Sequence, residues 1–132
     1  LLRVAAKHAN GTNFAWNLTP AEFNNKLTVL KEHCEVVGTN FATIVKSLSA
    51  GALIADDERN VNTMKEKLMK SYHGLEGYLP YTFRKSGLVG SPGQCKERVK
   101  EFVQAGVQYF MLVFADVPQM RLFAEKVLPR LS

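Results

Sequence analysis

The chain has 132 residues, of which 46% are hydrophobic and 22% charged, a balance that excludes a disordered or fibrous chain and suits one soluble domain with a core of its own. It is too short for a complete eight-fold β/α barrel, which takes roughly 250 residues. The net charge of +5 comes from Lys and Arg scattered among Glu rather than gathered in a basic stripe, so no nucleic-acid partner is expected.

The opening stretch LLRVAAKHAN is too short and polar for a signal peptide, and no apolar run approaches the roughly 20 residues of a membrane span. The expectation is a cytoplasmic protein without membrane contact. Leu1 to about His8 reads as the tail of a helix, and a chain that opens inside a helix without Met is expected to be a fragment or a processed product. Asn10 and Gly11 tolerate the left-handed backbone that ends a helix. A short strand, TNFAW, follows.

Thr19 and Pro20 open the next helix, the hydroxyl as N-cap and the proline in the first turn, where its missing N–H does no harm. Glu22 completes a capping box. Phe23, Leu27, Leu30, Cys34 and Val37 trace one face at spacings of three and four, and Gly38 ends the helix. Residues 43–55, TIVKSLSAGALIA, read as a strand buried on both faces that leads into a ligand-facing loop. The polar-rich helix after it, 56–72, turns Val61, Met64, Leu68 and Met69 or Tyr72 inward.

Residues 73–89 carry aromatics, glycines and a proline and read as a long connection. Its Tyr78, Tyr81, Phe83, Arg84 and Lys85 either touch a ligand or pack over apolar surface. Ser91 and Pro92 repeat the cap arrangement of Thr19 and Pro20, and Cys95, Val99, Phe102 and Val103 form the inward face of the helix that follows. An Ala-Gly-Val turn at 105–107 leads into QYFMLVFA, an almost wholly apolar strand that needs cover on both faces. The last helix, 118–131, presents Met120, Phe123, Ala124, Val127, Leu128 and Leu131.

Cys34 and Cys95 lie on separate helices and read as buried thiols rather than a bridge. There is no CxxC, and His8, His33 and His73 fall in three segments, so no metal site is expected. Asn10 and Asn17 begin Asn-x-Thr triplets, a pattern that arises often by chance. Strands separated by helices imply a parallel sheet with right-handed crossovers, in a single domain spanning 1–132. Three strands are few, and their edges are expected to associate with another copy or a missing partner half.

Three motifs in order, Ala9-Asn10-Gly11, Gly90-Ser91-Pro92 and Ala124-Glu125-Lys126-Val127-Leu128-Pro129, resemble the C-terminal portion of the luciferase-like flavin and deazaflavin oxidoreductases. The resemblance covers almost the whole chain. It implies an α/β fold, a parallel-stranded partial (β/α) TIM-type barrel of about three strands with flanking helices, whose N-terminal half is absent. It implies FMN or the deazaflavin coenzyme F-420 at the C-terminal strand ends, and hydride transfer or monooxygenation of a small organic substrate. The family's glycine-rich phosphate turn precedes the first residue, so activity of the chain alone is an open expectation. The alternative is a non-enzymatic half-barrel that dimerises or binds a small ligand.

Carried over by position, Asn13, Trp16, Ser47 and Ser49 are the candidate cofactor-binding residues. Trp16 or Asn17 would face the ring pocket, or Trp16 would be an interlayer core residue. Ser47 and Ser49 would offer hydroxyls. Asp116 is either a rim carboxylate or a helix cap, and Ser91 either an anion site or a cap. No catalytic dyad or nucleophile is legible.

Overall fold

The spine of the fold is one ten-residue strand, Val45–Ile54, and everything else is arranged around its two edges. The computed structural model describes residues 1–15, 17–71, 85 and 87–131. Among these the helices are α1 (Leu2–His8), α2 (Pro20–Val37), α3 (Glu58–Ser71), α4 (Pro92–Gln104) and α5 (Val117–Lys126), and the strands are β1 (Gly11–Ala15), β2 (Val45–Ile54), β3 (Leu88–Gly90) and β4 (Tyr109–Phe114).

All pairings among the described residues are parallel. β2 pairs with β1 over 45–49, with β3 over 52–54 and with β4 over 47–52. Ser47 and Ser49 each face a partner in both β1 and β4, and Ala52 faces both Leu88 and Phe114, so β1 and β3 follow one another along one edge while β4 takes the other. A strand flanked on both edges and covered by helices is buried along most of its length, and burial is unbroken from Lys46 to Ile54.

The caps form as the sequence indicates. Thr19 Oγ1 accepts from the Glu22 N–H while Glu22 accepts from the Thr19 N–H, and Ser91 and Gln94 repeat the arrangement at α4. Gly38 closes α2 with a left-handed φ of 76°. Gly106 is required twice over in the turn after α4. Its φ is 109°, and a Cβ there would meet Leu27 Cδ1 at 2.6 Å.

One sheet face packs on helices. Phe14, Leu48 and Ala50 meet Phe23, Leu27, Leu30 and Phe102, and Ala52 and Ile54 meet Cys95, Val99 and Phe123. Phe110, Leu112 and Phe114 of β4 point to the same side. By the two-residue period of a strand, Asn13, Ser47, Ser49, Tyr109, Met111 and Val113 share the other face. A third cluster, Leu53, Ala55 and Val61 with Met64 and Val89, brings α3 against the C-terminal end of β2.

The structure corrects four points. The sheet gains a fourth strand, β3, inside the stretch read as a connection, because Leu88 can pair with the upper half of β2. The last strand is covered on one face only: Tyr109, Met111 and Val113 are 59%, 40% and 53% exposed. Val103 is exposed because it points away from the sheet behind Phe102. The final α-helix ends at Lys126 and a 3₁₀ turn, Leu128–Arg130, follows. Its inward residues are Gln119, Phe123 and Val127, whereas Met120, Ala124 and Leu128 lie exposed.

Candidate functional site

At a β/α sheet of this kind the chemistry sits at or near the C-terminal ends of the strands. Asn13, Ser47 and Ser49 are adjacent in the middle of the β1–β2 pair, in the first half of β2 and so short of its C-terminal end, on the face away from the helices. The register sets Asn13 beside Ser47 and Ala15 beside Ser49. Asn13 Nδ2 donates to Ser49 Oγ at 2.9 Å, and Ser47 Oγ lies 3.1 Å from both Asn13 Oδ1 and the Thr12 carbonyl.

Ser47 has one hydroxyl hydrogen and therefore donates to one of those two acceptors at a time. Ser49 accepts from Asn13, and among the described residues its own hydrogen has no acceptor. Both serines are nearly buried, while Asn13 is exposed. Beside them β4 sets Tyr109 against Ser47 and Met111 against Ser49. The surface is thus a row of neutral hydrogen-bonding groups bordered by an aromatic ring and a thioether.

This chemistry fits the edge of a planar heterocycle. Neutral donors and acceptors at fixed spacing can pair with carbonyls and ring nitrogens, and Tyr109 and Met111 offer apolar contact. Asn13, Ser47 and Ser49 are uncharged donors and acceptors, a set that suits the edge of a ring rather than a phosphate. Among the described residues no three His, Cys, Asp or Glu side chains come together as a metal site.

Of the four residues chosen from the sequence, three converge and Trp16 lies outside the described residues. Asn17, next along, is buried with a left-handed φ of 73°, a backbone that Asn tolerates. Asp116 is the N-cap of α5, its Oδ1 accepting from the Gln119 N–H at 2.9 Å, and Ser91 caps α4. Tyr78, Tyr81, Phe83, Arg84 and His73 also lie outside the described residues. Lys85 is described: its Nζ donates to Glu22 Oε1 at 2.8 Å, and Arg98 donates to its carbonyl. This ties the end of the long connection to the first turn of α2 and the middle of α4.

The groups with displaced pKa values stand apart from the cluster. Glu22 is held down at about 2, chiefly by its hydrogen bond from Lys85. Burial pushes the Cys95 thiol up to about 11 and the Lys46 amine below its ordinary value. Both cysteines are free and buried. Sequence reasoning missed Tyr109 and Met111, which β4's alternation would have placed on one face had that face been known to be uncovered.

No family model matches the chain, and no curated protein sequence does. Solved structures do. A coenzyme F-420-dependent tetrahydromethanopterin reductase from Methanopyrus kandleri matches over 99% of this chain and 48% of its own, at 15% identity and a TM-score of 0.68. A riboflavin lyase with modified FMN and riboflavin matches over 97% and 39%, at 11% identity and a TM-score of 0.78. An EDTA monooxygenase from a Chelativorans species matches over 98% and 43%, at 12% identity and 0.78. The likeness establishes the fold, a parallel sheet with flanking helices corresponding to part of these larger chains. The chain spans less than half the length of each.

Proposed function

We propose that the chain is the C-terminal part of a luciferase-like flavin- or deazaflavin-dependent oxidoreductase, and that Asn13, Ser47 and Ser49 form one wall of its ring pocket. The observation that carries this reading is the convergence of three separately chosen residues into one hydrogen-bonded cluster, on a fold shared with solved proteins whose names include an F-420-dependent reductase and a lyase with modified FMN. FMN or F-420 would supply the redox chemistry, taking or giving a hydride or supporting monooxygenation of a small organic substrate. The chain's part is to hold the ring's polar edge against Ser49 and Asn13 and its apolar surface near Met111.

The donor set accommodates the ring but offers no cationic cradle for a phosphate tail, which we assign to a complementary barrel half or a second copy. A dimerising or ligand-binding scaffold without turnover is the less favoured reading, since the solved proteins that share the fold include a reductase and a monooxygenase. Among the described residues no helix is long and apolar enough to cross a membrane, and a cytoplasmic location suits either reading.

Titration of the purified chain with FMN and with F-420, followed by flavin or deazaflavin fluorescence, tests the assignment. Saturable binding weakened about three- to tenfold by Ser49→Ala, the loss of one neutral hydrogen bond, is the expected result. Absence of binding of either molecule would remove the cofactor assignment for this chain.

A further inference from the structure

The three polar side chains of the β1–β2 wall differ in what their mutual hydrogen bonds leave free. The Ser47 hydroxyl directs its single hydrogen to Asn13 Oδ1 or to the Thr12 carbonyl, each 3.1 Å away. Ser49 Oγ accepts from Asn13 Nδ2 at 2.9 Å, so within the wall Ser49 is an acceptor. Its own hydrogen has no acceptor among the described residues, although Ser49 is only 9% exposed, and its neighbour across the β2–β4 register is the thioether of Met111. A nearly buried hydroxyl that keeps an unused hydrogen is uncommon, because that hydrogen has lost its water without gaining a partner. The direction of the Asn13 carboxamide decides this. With the amide turned end for end, Ser49 would donate to Oδ1 and would face outward with lone pairs alone.

We propose that Ser49 is the specificity-determining donor of this wall, reading a hydrogen-bond acceptor on the edge of the bound ring, and that Asn13 is a positioning residue that keeps the Ser49 hydrogen available for it. The proposal rests on the reading of the wall as a ring site and adds the sign of the hydrogen bond made there. The ligand class that follows is a planar heterocycle whose edge presents a carbonyl oxygen or an unprotonated ring nitrogen to Ser49. A ring that presents an N–H at that point sets donor against donor and leaves both buried hydrogens unpaired, so the wall discriminates against it. Flavin and deazaflavin rings share their carbonyls and differ in one central-ring atom, a nitrogen in the first and a carbon in the second. The two possible acceptors are therefore separable by comparing the two rings.

The test is a fluorescence titration with riboflavin and with 5-deazariboflavin, which carry the two rings without a phosphate, on the parent chain, on Asn13→Ala and Asn13→Asp, and on both substitutions in a Ser49→Ala background. A carboxylate only accepts, so Asn13→Asp draws the Ser49 hydrogen onto itself and away from the ligand, whereas Asn13→Ala leaves that hydrogen free. The expected result is binding at least about threefold weaker for Asn13→Asp than for Asn13→Ala, the loss of one neutral hydrogen bond, and no difference between the two once Ser49 is replaced. If Asn13 only filled space the order would be reversed, since aspartate keeps the shape of asparagine and alanine does not. A difference seen with both rings assigns the acceptor to a carbonyl, and one seen with riboflavin alone assigns it to the central-ring nitrogen. Far-ultraviolet dichroism checks that each variant is folded. Equal binding by the two variants, or a difference that survives without Ser49, overturns the proposal and leaves the ring site standing. A parent chain that binds neither ring overturns both.

Discussion

The carboxamide of Gln119 stands where a strand would: its Oε1 accepts from the Ile54 N–H and its Nε2 donates to the Ile54 carbonyl, each at 2.8 Å. The neighbouring Ala55 N–H bonds to Gly90 in β3, so Ile54 points to the opposite edge, where β4 has already ended at Phe114. A side chain of α5, 3% exposed, completes the sheet there and also reaches Met64 Sδ of α3 at 3.4 Å. One amide thus fixes the C-terminal end of β2 against two helices.

Replacing Gln119 by Leu should therefore be costly despite the gain in hydrophobicity. It leaves a buried N–H and a buried carbonyl without partners, at about 1–3 kcal/mol each. A fall in the urea midpoint equivalent to roughly 2–5 kcal/mol is expected, and a change below about 1 kcal/mol would mean that water replaces the amide.

Acid stability should depend on Glu22. Its pKa is held near 2 by the Lys85 ammonium and the Thr19 N–H, against an ordinary 4.5. The unfolded chain binds the proton first as pH falls, so the contribution is present above about pH 4.5 and is lost between there and 2. Glu22→Gln should flatten this part of the stability curve. Because both partners are exposed, high salt should shrink the difference between the two proteins.

The alkaline limb should respond to Cys95. Burial raises its pKa from 9.0 to about 11, so the folded chain keeps a proton that the unfolded chain has lost, and stability falls as pH rises through that interval. Lys46, lowered by burial, works in the opposite sense, because its unfolded form holds a proton the folded form releases. Unfolding midpoints of Cys95→Ala and the parent chain from pH 8 to 11 should diverge least at the alkaline end. The native thiol should also resist an aromatic disulfide reagent until the chain unfolds.

Phe102 is fully buried beneath β4 and meets Phe110 edge to face, with ring centroids 6.5 Å apart. Phe102→Ala should destabilise by about 3–5 kcal/mol, the range for a large core aromatic. Val103→Ala, one residue on and exposed, should change stability by less than about 0.5 kcal/mol in the monomer. Equal effects would contradict the orientation of α4.

Helix starts were legible because capping is local. Thr19, Glu22, Ser91 and Gln94 act within three residues of one another, and their hydrogen bonds follow from residue type and spacing. The burial of β2 was legible in its second half, where the run from Ala50 to Ile54 contains no polar side chain and has no face to give to water. The identity of Asn13, Ser47 and Ser49 as candidates came from a family resemblance, and their meeting was not readable at all: it depends on which residue of β1 lies beside which residue of β2, across more than thirty positions.

By itself, then, the sequence determined the elements, their caps and the parallel α/β arrangement, through interactions that act within a turn or along one strand. Tertiary structure decided which strand faces remain uncovered, that Leu88 begins a fourth strand, that Val103 and Met120 face outward, and that a glutamine completes the sheet at Ile54. Periodicity marks residues that share a face, but only packing determines what that face meets. An apolar strand such as β4 has the same composition whether one of its faces is covered or two.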